Sequence, residues 1–267
     1  MKRNLIVFFC LMMMLSAGCI NDSNADALSL LGRGTIKIGI DDEFAPMGFH
    51  DKNGEIIGFD VDLAKEAAKR MNLKVEFVPI NWGQKKEELN SGRVDVLWNG
   101  CDITKERKEY MIFSKPYMNN RQILVVKRGN TQHIYSVSDL EGKIVGTQAG
   151  SNSTDYIEEN KKLKDTFEEF KTYLNFKEAF EELDKDLVDV LIVDEFIARY
   201  EVTNRSNRFE VIDVTVGPAS KIGIGFRKDN VALRDSLQKV FDEMVKDGTA
   251  NKISEKWFGA DVIRFKR

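Results

Sequence analysis

The sequence predicts an α/β fold of two lobes, in which each lobe is a mostly parallel sheet flanked by helices and two crossover strands join the lobes. Short apolar runs alternate with amphipathic stretches from residue 35 onward, and this alternation is typical of parallel sheets covered by helices. Extended segments near 121–127 and 221–228 bracket a middle block that has strands and helices of its own. Two strands that cross between lobes at these points would leave a cleft between them.

The individual elements follow from the spacing of apolar residues. Runs of apolar and β-branched residues predict strands at 35–40, 73–80, 94–98, 121–127, 143–147, 188–193, 209–213 and 221–226. Helical spacing predicts helices at 60–71, 82–89, 104–110, 137–140, from about 153 onward, and at 176–183, 194–200 and 231–246, with 250–257 closing the chain. In the first of these helices, Val61, Ala64 and Ala68 belong to one apolar face.

The N-terminus has the pattern of a secretory signal. Two basic residues precede an uncharged apolar run at 5–15, which is too short to span a bilayer comfortably. The ending Leu-Ser-Ala-Gly-Cys at 15–19 resembles a bacterial lipobox, in which cleavage precedes the cysteine and Cys19 then carries lipid. Ordinary signal cleavage near residues 25–27 is the alternative.

These patterns together predict the domain organisation. We expect a lipoprotein signal peptide at 1–18 and a tether at 19–33. Lobe 1 would take 34–121 and 223–267, and lobe 2 would take 122–222. The protein is expected to be extracytoplasmic and anchored to the cell membrane by its N-terminal lipid, on the periplasmic side if an outer membrane exists. No later segment approaches 18 apolar residues, so the lipid would be the only membrane attachment.

Charge and cysteine content exclude several classes of function. Lys and Arg total 40 against 43 Asp and Glu, which gives a net charge of −3 with no basic stripe, so no nucleic-acid partner is expected. Once Cys10 has left with the signal and Cys19 is lipidated, Cys101 stands alone and cannot form an intramolecular disulfide. With only His50 and His133 in the chain, a Cys/His nucleophile or zinc site is not expected, and no metal or cofactor is predicted. Cys101 is interpreted as a small residue at a strand end.

Polar, aromatic and glycine residues follow several predicted strands. In open α/β sheets, ligands bind beyond the carboxyl ends of strands, so these residues are candidates for a binding site. The candidates are Asp41, Phe44, Trp82, Asn99, Gly100, Asp102, Arg107, Gly150, Ser151, Asn152 and Asp194. Taken alone, each has an ordinary alternative. Arg107 would be a solvated helix residue, Asp194 a helix cap and Ser151 an N-cap, and the two aromatic residues would belong to the core.

Four motifs in this order are more specific than any single residue. Gly-Phe-Asp-Val-Asp-Leu-Ala at 58–64 follows a Pro-x-x-Phe turn at 46–49. Thr-Lys-Glu-Arg at 104–107 precedes Phe-Ser-Lys-Pro-Tyr at 113–117, and a Gly-x-x-x-Gly-Ser turn ends at Ser151. The fourth is the aspartate of Val-Asp-Val-Leu-Ile-Val-Asp, which is residue 194. Over about residues 34–260 the sequence resembles the family 3 extracellular solute-binding proteins, the polar amino acid receptors of ABC importers, and this implies a type II periplasmic-binding-protein-like fold.

The resemblance also implies a role for each pole of a zwitterion. Arg107 matches the family arginine that binds the ligand carboxylate, which suits a guanidinium because it donates two parallel bonds. Backbone N–H groups near Ser151 and Asn152 would reinforce it at a helix start. Asp194 matches the acid that holds the α-ammonium. Asp102 stands where the family usually has Ser or Thr, so it could strengthen ammonium binding or pair with the arginine in an empty cleft.

Other candidates match residues around the rest of the ligand. Gly100 matches a position that meets the ligand's polar groups, and Phe44 and Trp82 match residues that flank its side chain. Asn152 replaces a hydroxyl residue common in the family. The carboxylate at Asp41, like that of residue 102, favours a basic or neutral polar amino acid over an acidic one.

The resemblance predicts an importer receptor rather than an enzyme. The expected partners are a free amino acid, an ABC permease and the membrane through the N-terminal lipid, and the protein is expected to be a monomer. An extracytoplasmic sensor module is one alternative. A dehydratase of cyclic acids on the same fold is another; it needs a general acid, for which Asp41, Asp42, Glu43 or Asp102 could be proposed.

Overall fold

The computed structural model describes residues 34–205 and 207–264, which form α/β structure throughout. The strands are β1 Thr35–Ile40, β2 Glu43–Phe44, β3 Gly48–His50, β4 Ile56–Ile57, β5 Lys74–Pro79, β6 Val96–Leu97, β7 Met111–Phe113, β8 Met118–Lys127, β9 Ile144–Gln148, β10 Glu169–Tyr173, β11 Val190–Asp194, β12 Phe209–Ile222 and β13 Gly225–Arg227. The helices are α1 Phe59–Arg70, α2 Lys85–Asn90, α3 Asn152–Glu159, α4 Lys161–Lys164, α5 Phe176–Asp184, α6 Glu195–Asn204, α7 Val231–Lys246 and α8 Thr249–Phe258. Within these ranges no helix is long and apolar enough to cross a membrane.

Two five-stranded sheets organise the two lobes. Lobe 1 contains the sheet ordered β5-β1-β6-β13-β7, and lobe 2 contains the sheet ordered β10-β9-β11-β8-β12. In the first sheet β13 pairs antiparallel with both neighbours, and in the second β8 does the same. The other four strands of each sheet share one direction, so the prediction of two mostly parallel lobes is confirmed.

The connection between the lobes differs in detail from the prediction. The strand predicted at 209–213 continues to Ile222, and it pairs antiparallel with β8 along its length. The predicted strand at 221–226 is wrong, because the chain leaves β12 at Ile222 and starts β13 only at Gly225. Gly217 and Pro218 lie in a bulge between Val216 and Ser220, and the ladder resumes beyond it.

Three shorter features were also missed or mispredicted. A small sheet ordered β2-β3-β4 covers the segment after β1, and its strands of two or three residues are too short to give a periodic pattern. The helix predicted at 104–110 is only a 3-10 turn at Arg107–Glu109. The helix predicted at 82–89 opens as a 3-10 turn, Trp82–Gln84, before α2 begins.

Asp60 ties the first helix to the loop after β6. It is fully buried in the first turn of α1, where its carboxylate accepts hydrogen bonds from Gly100 N at 2.7 Å and from Tyr117 Oη at 2.8 Å. Burial raises the pKa of Asp60 to about 7. These two hydrogen bonds offset the free-energy cost of burying the acid. The bond from the Gly100 N–H also fixes the position of Gly100.

We expect Asp60→Ala to lower the free energy of unfolding by about 1–3 kcal/mol, because it leaves a buried N–H and a buried hydroxyl unpaired. Urea denaturation of the variant would measure this. Tyr117→Phe, which keeps the bond to Gly100, should cost less. A variant as stable as the unmodified protein would contradict this role for the carboxylate.

Candidate functional site

Arg107 lies at the boundary between the two lobes. Its backbone N–H donates to Thr104 Oγ1 at 3.1 Å, which anchors the 3-10 turn in lobe 1. The side chain is 1% exposed, so the alternative of a solvated helix residue is wrong. The guanidinium reaches lobe 2, where Nη2 donates to Gly150 O at 3.1 Å and to Asp155 Oδ2 at 3.2 Å. Its Nε is buried and lacks a partner among the described residues.

Asp194 ends β11 in lobe 2 and precedes α6. Its side chain makes no capping bond to that helix, so the helix-cap alternative is wrong. The carboxylate instead accepts from Asn120 Nδ2 at 2.5 Å and from Gln122 Nε2 at 2.7 Å, both on β8. Burial, reinforced by the nearby charge of Asp102, raises the pKa of Asp194 to about 7.

Asp102 brings a second carboxylate to the same place from lobe 1. Its Oδ1 accepts from the Asn120 amide at 3.0 Å and also from the hydroxyl of Ser220. Burial raises the pKa of Asp102 as well. Asp102 and Asp194, which share one amide donor, form an anionic pole. The guanidinium of Arg107 lies beside it, with Nη1 3.9 Å from Asp102 Oδ2.

Lys85 adds a second cation next to Arg107. It opens α2 in lobe 1 and is buried, and its Nζ donates to Gly150 O at 2.8 Å. Burial and the charge of Arg107 lower the pKa of Lys85 to about 8. Lys85 and Arg107 therefore form a cationic pole around one carbonyl oxygen of lobe 2.

Gly150 and Ser151 form the tight entrance to α3. Gly150 has φ 68°, and a Cβ there would come within 2.8 Å of Gly83 Cα, so only glycine allows this approach of the lobes. Ser151 Oγ accepts from Thr154 N at 3.1 Å, which makes Ser151 the N-cap that the sequence suggested as an alternative. The Ser151 N–H donates to Gln148 O at 3.2 Å and so serves the turn. Asn152, the first residue of α3, is half-buried.

Asp41 and Gln148 form another contact between the lobes, and Asn99 supports it from within lobe 1. The Asn99 side chain accepts from Asp41 N at 3.1 Å within lobe 1. The Asp41 carboxylate then accepts from Gln148 Nε2 of lobe 2 at 2.5 Å. Burial raises the pKa of Asp41 to about 6.

The two aromatic candidates are both buried. Phe44 stacks on Phe176 and meets Phe196 edge-on, with both ring centroids 5.9 Å away, and both partners belong to lobe 2. Gly100 approaches this cluster so closely that a Cβ there would lie 2.8 Å from the Phe44 ring. Trp82 packs in a core cluster of lobe 1. For Trp82 the core alternative is what the structure supports, while Phe44 closes a wall between the lobes.

Several residues of this arrangement were not predicted from the sequence. Among them are Lys85, Asn120, Gln122, Gln148 and Asp155. The spacing carried some signal: Asn120 and Gln122 are two apart on one strand and therefore share a face. Asp155 lies one helical turn beyond Ser151.

Cys101 is a buried free thiol in the loop that follows β6, which ends at Leu97, so its interpretation as a residue at a strand end is not confirmed. Across residues 34–205 and 207–264, no group of three or more His, Cys, Asp or Glu side chains is arranged to hold a metal ion.

Two mixed sheets, two connecting strands and opposite charges facing each other across the boundary define a two-lobed binding protein. The family model of bacterial extracellular solute-binding proteins, family 3, matches residues 36–260, and the chain belongs to this family. The structural neighbours below share its type II architecture.

Three similar proteins illustrate the family. The L-cystine-binding protein TcyJ of Escherichia coli strain K12 is 31% identical over 232 residues, which cover 87% of this chain and 85% of TcyJ. A Streptococcus pneumoniae ABC uptake transporter substrate-binding protein with bound histidine is 35% identical, with a TM-score of 0.86 over 91% of this chain and 100% of its own. An ancestral arginine-binding protein bound to arginine is 42% identical, with a TM-score of 0.79 over 85% of this chain and 99% of its own.

Proposed function

We propose that this protein is the substrate-binding protein of an amino acid ABC importer, which captures a free amino acid between its lobes and delivers it to a membrane permease. The observation that carries the proposal is the cationic pole next to the anionic pole, with Arg107 3.9 Å from Asp102. A free amino acid has a carboxylate and an ammonium at a fixed short separation. The ligand carboxylate would bind Arg107, and its ammonium would bind Asp194 and Asp102.

Closure of the lobes follows from where these groups lie. Arg107 belongs to lobe 1 and Asp194 to lobe 2, so a ligand that contacts both stabilises the closed form over the open one. We place the hinge at 121–123 and 222–224, with lobe 1 at 34–121 and 223–267 and lobe 2 at 122–222. Closure also excludes water, which strengthens the charge pairs.

The ligand class is proposed from the charges and from the relatives. The three similar proteins bind cystine, histidine and arginine, as their names state. Asp41, Asp102 and Asp194 are all buried at the cleft and would repel an additional negative charge. A basic or neutral polar amino acid therefore fits better than an acidic one.

Calorimetric titration of the domain at 34–267 with the twenty amino acids and cystine tests the proposal. One or a few amino acids should bind and be recovered unchanged. Conversion of the ligand would instead indicate a dehydratase-like enzyme, and binding without uptake by cells that carry the permease would indicate a sensor. If no amino acid binds, the proposal fails.

We also propose that Cys19 carries the lipid that holds the mature chain at the membrane. In a bacterial host, Cys19→Ala should abolish incorporation of a labelled fatty acid and move the protein out of the membrane fraction. Cys10→Ala is the matched control, since residue 10 would leave with the signal, and it should behave like the unmodified protein. Absence of labelling in the unmodified protein would favour ordinary signal cleavage near residues 25–27, because that cleavage removes Cys19.

A further inference from the structure

The buried ammonium of Lys85 lies at the boundary between the lobes and shares a carbonyl acceptor with Arg107. Lys85 is only 5% exposed and lies on the first turn of α2. Nζ donates to Gly150 O in lobe 2 at 2.8 Å and approaches Trp82 O in its own lobe at 3.4 Å. Arg107 Nη2 donates to the same Gly150 oxygen at 3.1 Å. Two cations thus converge on one neutral acceptor.

The two cations differ in how their charge is balanced. Arg107 pairs with Asp155 at 3.2 Å and lies 3.9 Å from Asp102. Lys85 forms no ion pair with any carboxylate of residues 34–205 and 207–264. A buried charge is normally paired, because carbonyl dipoles replace lost hydration only in part. An ammonium also has three N–H donors, so Lys85 can donate to a further oxygen while keeping its carbonyl contacts.

We propose that Lys85 is a ligand-binding residue that, beside Arg107, binds a carboxylate group of the ligand. The inference rests on the proposed function and adds a residue to its site. The Gly150 carbonyl marks the point toward which both cations are directed. The carboxylate could be the α-carboxylate shared with Arg107, or a second carboxylate at the far end of a ligand such as cystine. Lys85 would then help determine which amino acid is accepted.

Calorimetric titration with L-histidine, L-arginine, L-glutamate and L-cystine tests this in Lys85→Met and in the matched control Lys86→Met. Lys86 is the exposed neighbour on the same helix. We expect Lys85→Met to weaken by about tenfold or more the binding of those ligands whose carboxylate Lys85 contacts, and Lys86→Met to change affinity less than threefold. Circular dichroism would check the fold, with Lys85→Gln as a second variant.

The pattern of losses assigns the carboxylate. An equal loss for every ligand indicates the α-carboxylate, whereas a loss confined to glutamate and cystine indicates a second carboxylate. Affinity in Lys85→Met equal to that in Lys86→Met overturns the inference and leaves the proposed function intact. If the unmodified protein binds no amino acid, the proposed function fails and this inference with it.

A second readout separates ligand binding from a contact that merely holds the lobes together. The charged and titratable groups that face Lys85 are Arg107, which lowers its pKa, and Asp155, Cys101 and Glu106, which raise it. A ligand carboxylate would raise the pKa of Lys85 further. At pH 8.5, calorimetry in buffers of different ionisation enthalpy should show more protons taken up by the unmodified protein than by Lys85→Met. Burial without a carboxylate lowers the pKa instead, so equal or smaller uptake overturns the inference.

Discussion

Arg107→Ala should reduce affinity for the ligand by about a hundredfold or more while leaving the lobes folded. Truncating one partner of a buried, hydrogen-bonded charge pair costs about 2–5 kcal/mol, and the guanidinium of Arg107 is wholly buried at the contact between the lobes. Calorimetric titration measures the affinity, and circular dichroism confirms the fold. Arg107→Lys keeps the charge but not the planar fork, so it should retain part of the affinity.

Arg93→Ala is the matched control for this variant. Arg93 is exposed and pairs with Glu88 on the surface of lobe 1, so its removal should leave ligand affinity unchanged. Loss of binding in both variants would point to general destabilisation. Arg107→Ala with near-normal affinity would mean that the ligand carboxylate binds elsewhere, and the assignment of the cationic pole would have to be abandoned.

The order of the elements was predictable because buried strands and helices show a local pattern of apolar residues in the sequence. Strands such as β1 and β11 are short apolar runs bounded by polar residues, and α7 shows its apolar face at helical spacing. The full length of β12 was not predictable in this way. Residues Gly217 and Pro218 are a local signal for a turn, and only pairing with β8, about a hundred residues away, keeps the strand going.

The cationic pole and the surroundings of the anionic pole were predictable from the sequence to different extents. Arg107 lies in a charge-rich stretch whose local pattern indicates exposure, so the motif around it carried the prediction. Asn120 and Gln122 were missed because polar residues at the start of a strand resemble a solvated edge. They are buried because Asp102 and Asp194, on other parts of the chain, accept hydrogen bonds from their side-chain amides. Such partners are set by tertiary contacts.

This network explains how an empty cleft tolerates two adjacent carboxylates. Asn120 donates to both Asp102 and Asp194, and Gln122 donates to the latter while its own oxygen accepts from Ser153 Oγ at 2.6 Å. The raised pKa values indicate that these bonds do not fully replace hydration. An incoming ammonium would supply the missing positive charge, so the residual cost in the empty protein becomes a driving force for binding.

Asp194→Asn should therefore weaken ligand binding and yet stabilise the empty protein. The substitution keeps the oxygen that accepts from Asn120 and Gln122 but removes the charge, so affinity should fall by about thirtyfold or more. The folded pKa of about 7 lies above the ordinary value of 3.8. The stability from this group is thus complete below about pH 3.8 and is lost as the pH rises through 7. The variant should unfold at a higher temperature than the unmodified protein at pH 8, and at nearly the same temperature at pH 4.5.

The same pKa gives the unmodified protein a pH-dependent affinity that should be smaller in the variant, where Asp102 is the remaining carboxylate of the anionic pole. Because the ammonium binds the ionised carboxylate, binding should be about tenfold weaker at pH 5.5 than at pH 7.5. Asp235→Asn, at an exposed position on α7, is the control and should alter neither melting nor binding. Unchanged affinity in Asp194→Asn would show that residue 194 holds no ligand cation. A lower melting temperature at pH 8 would show that the burial of this carboxylate is satisfied without one.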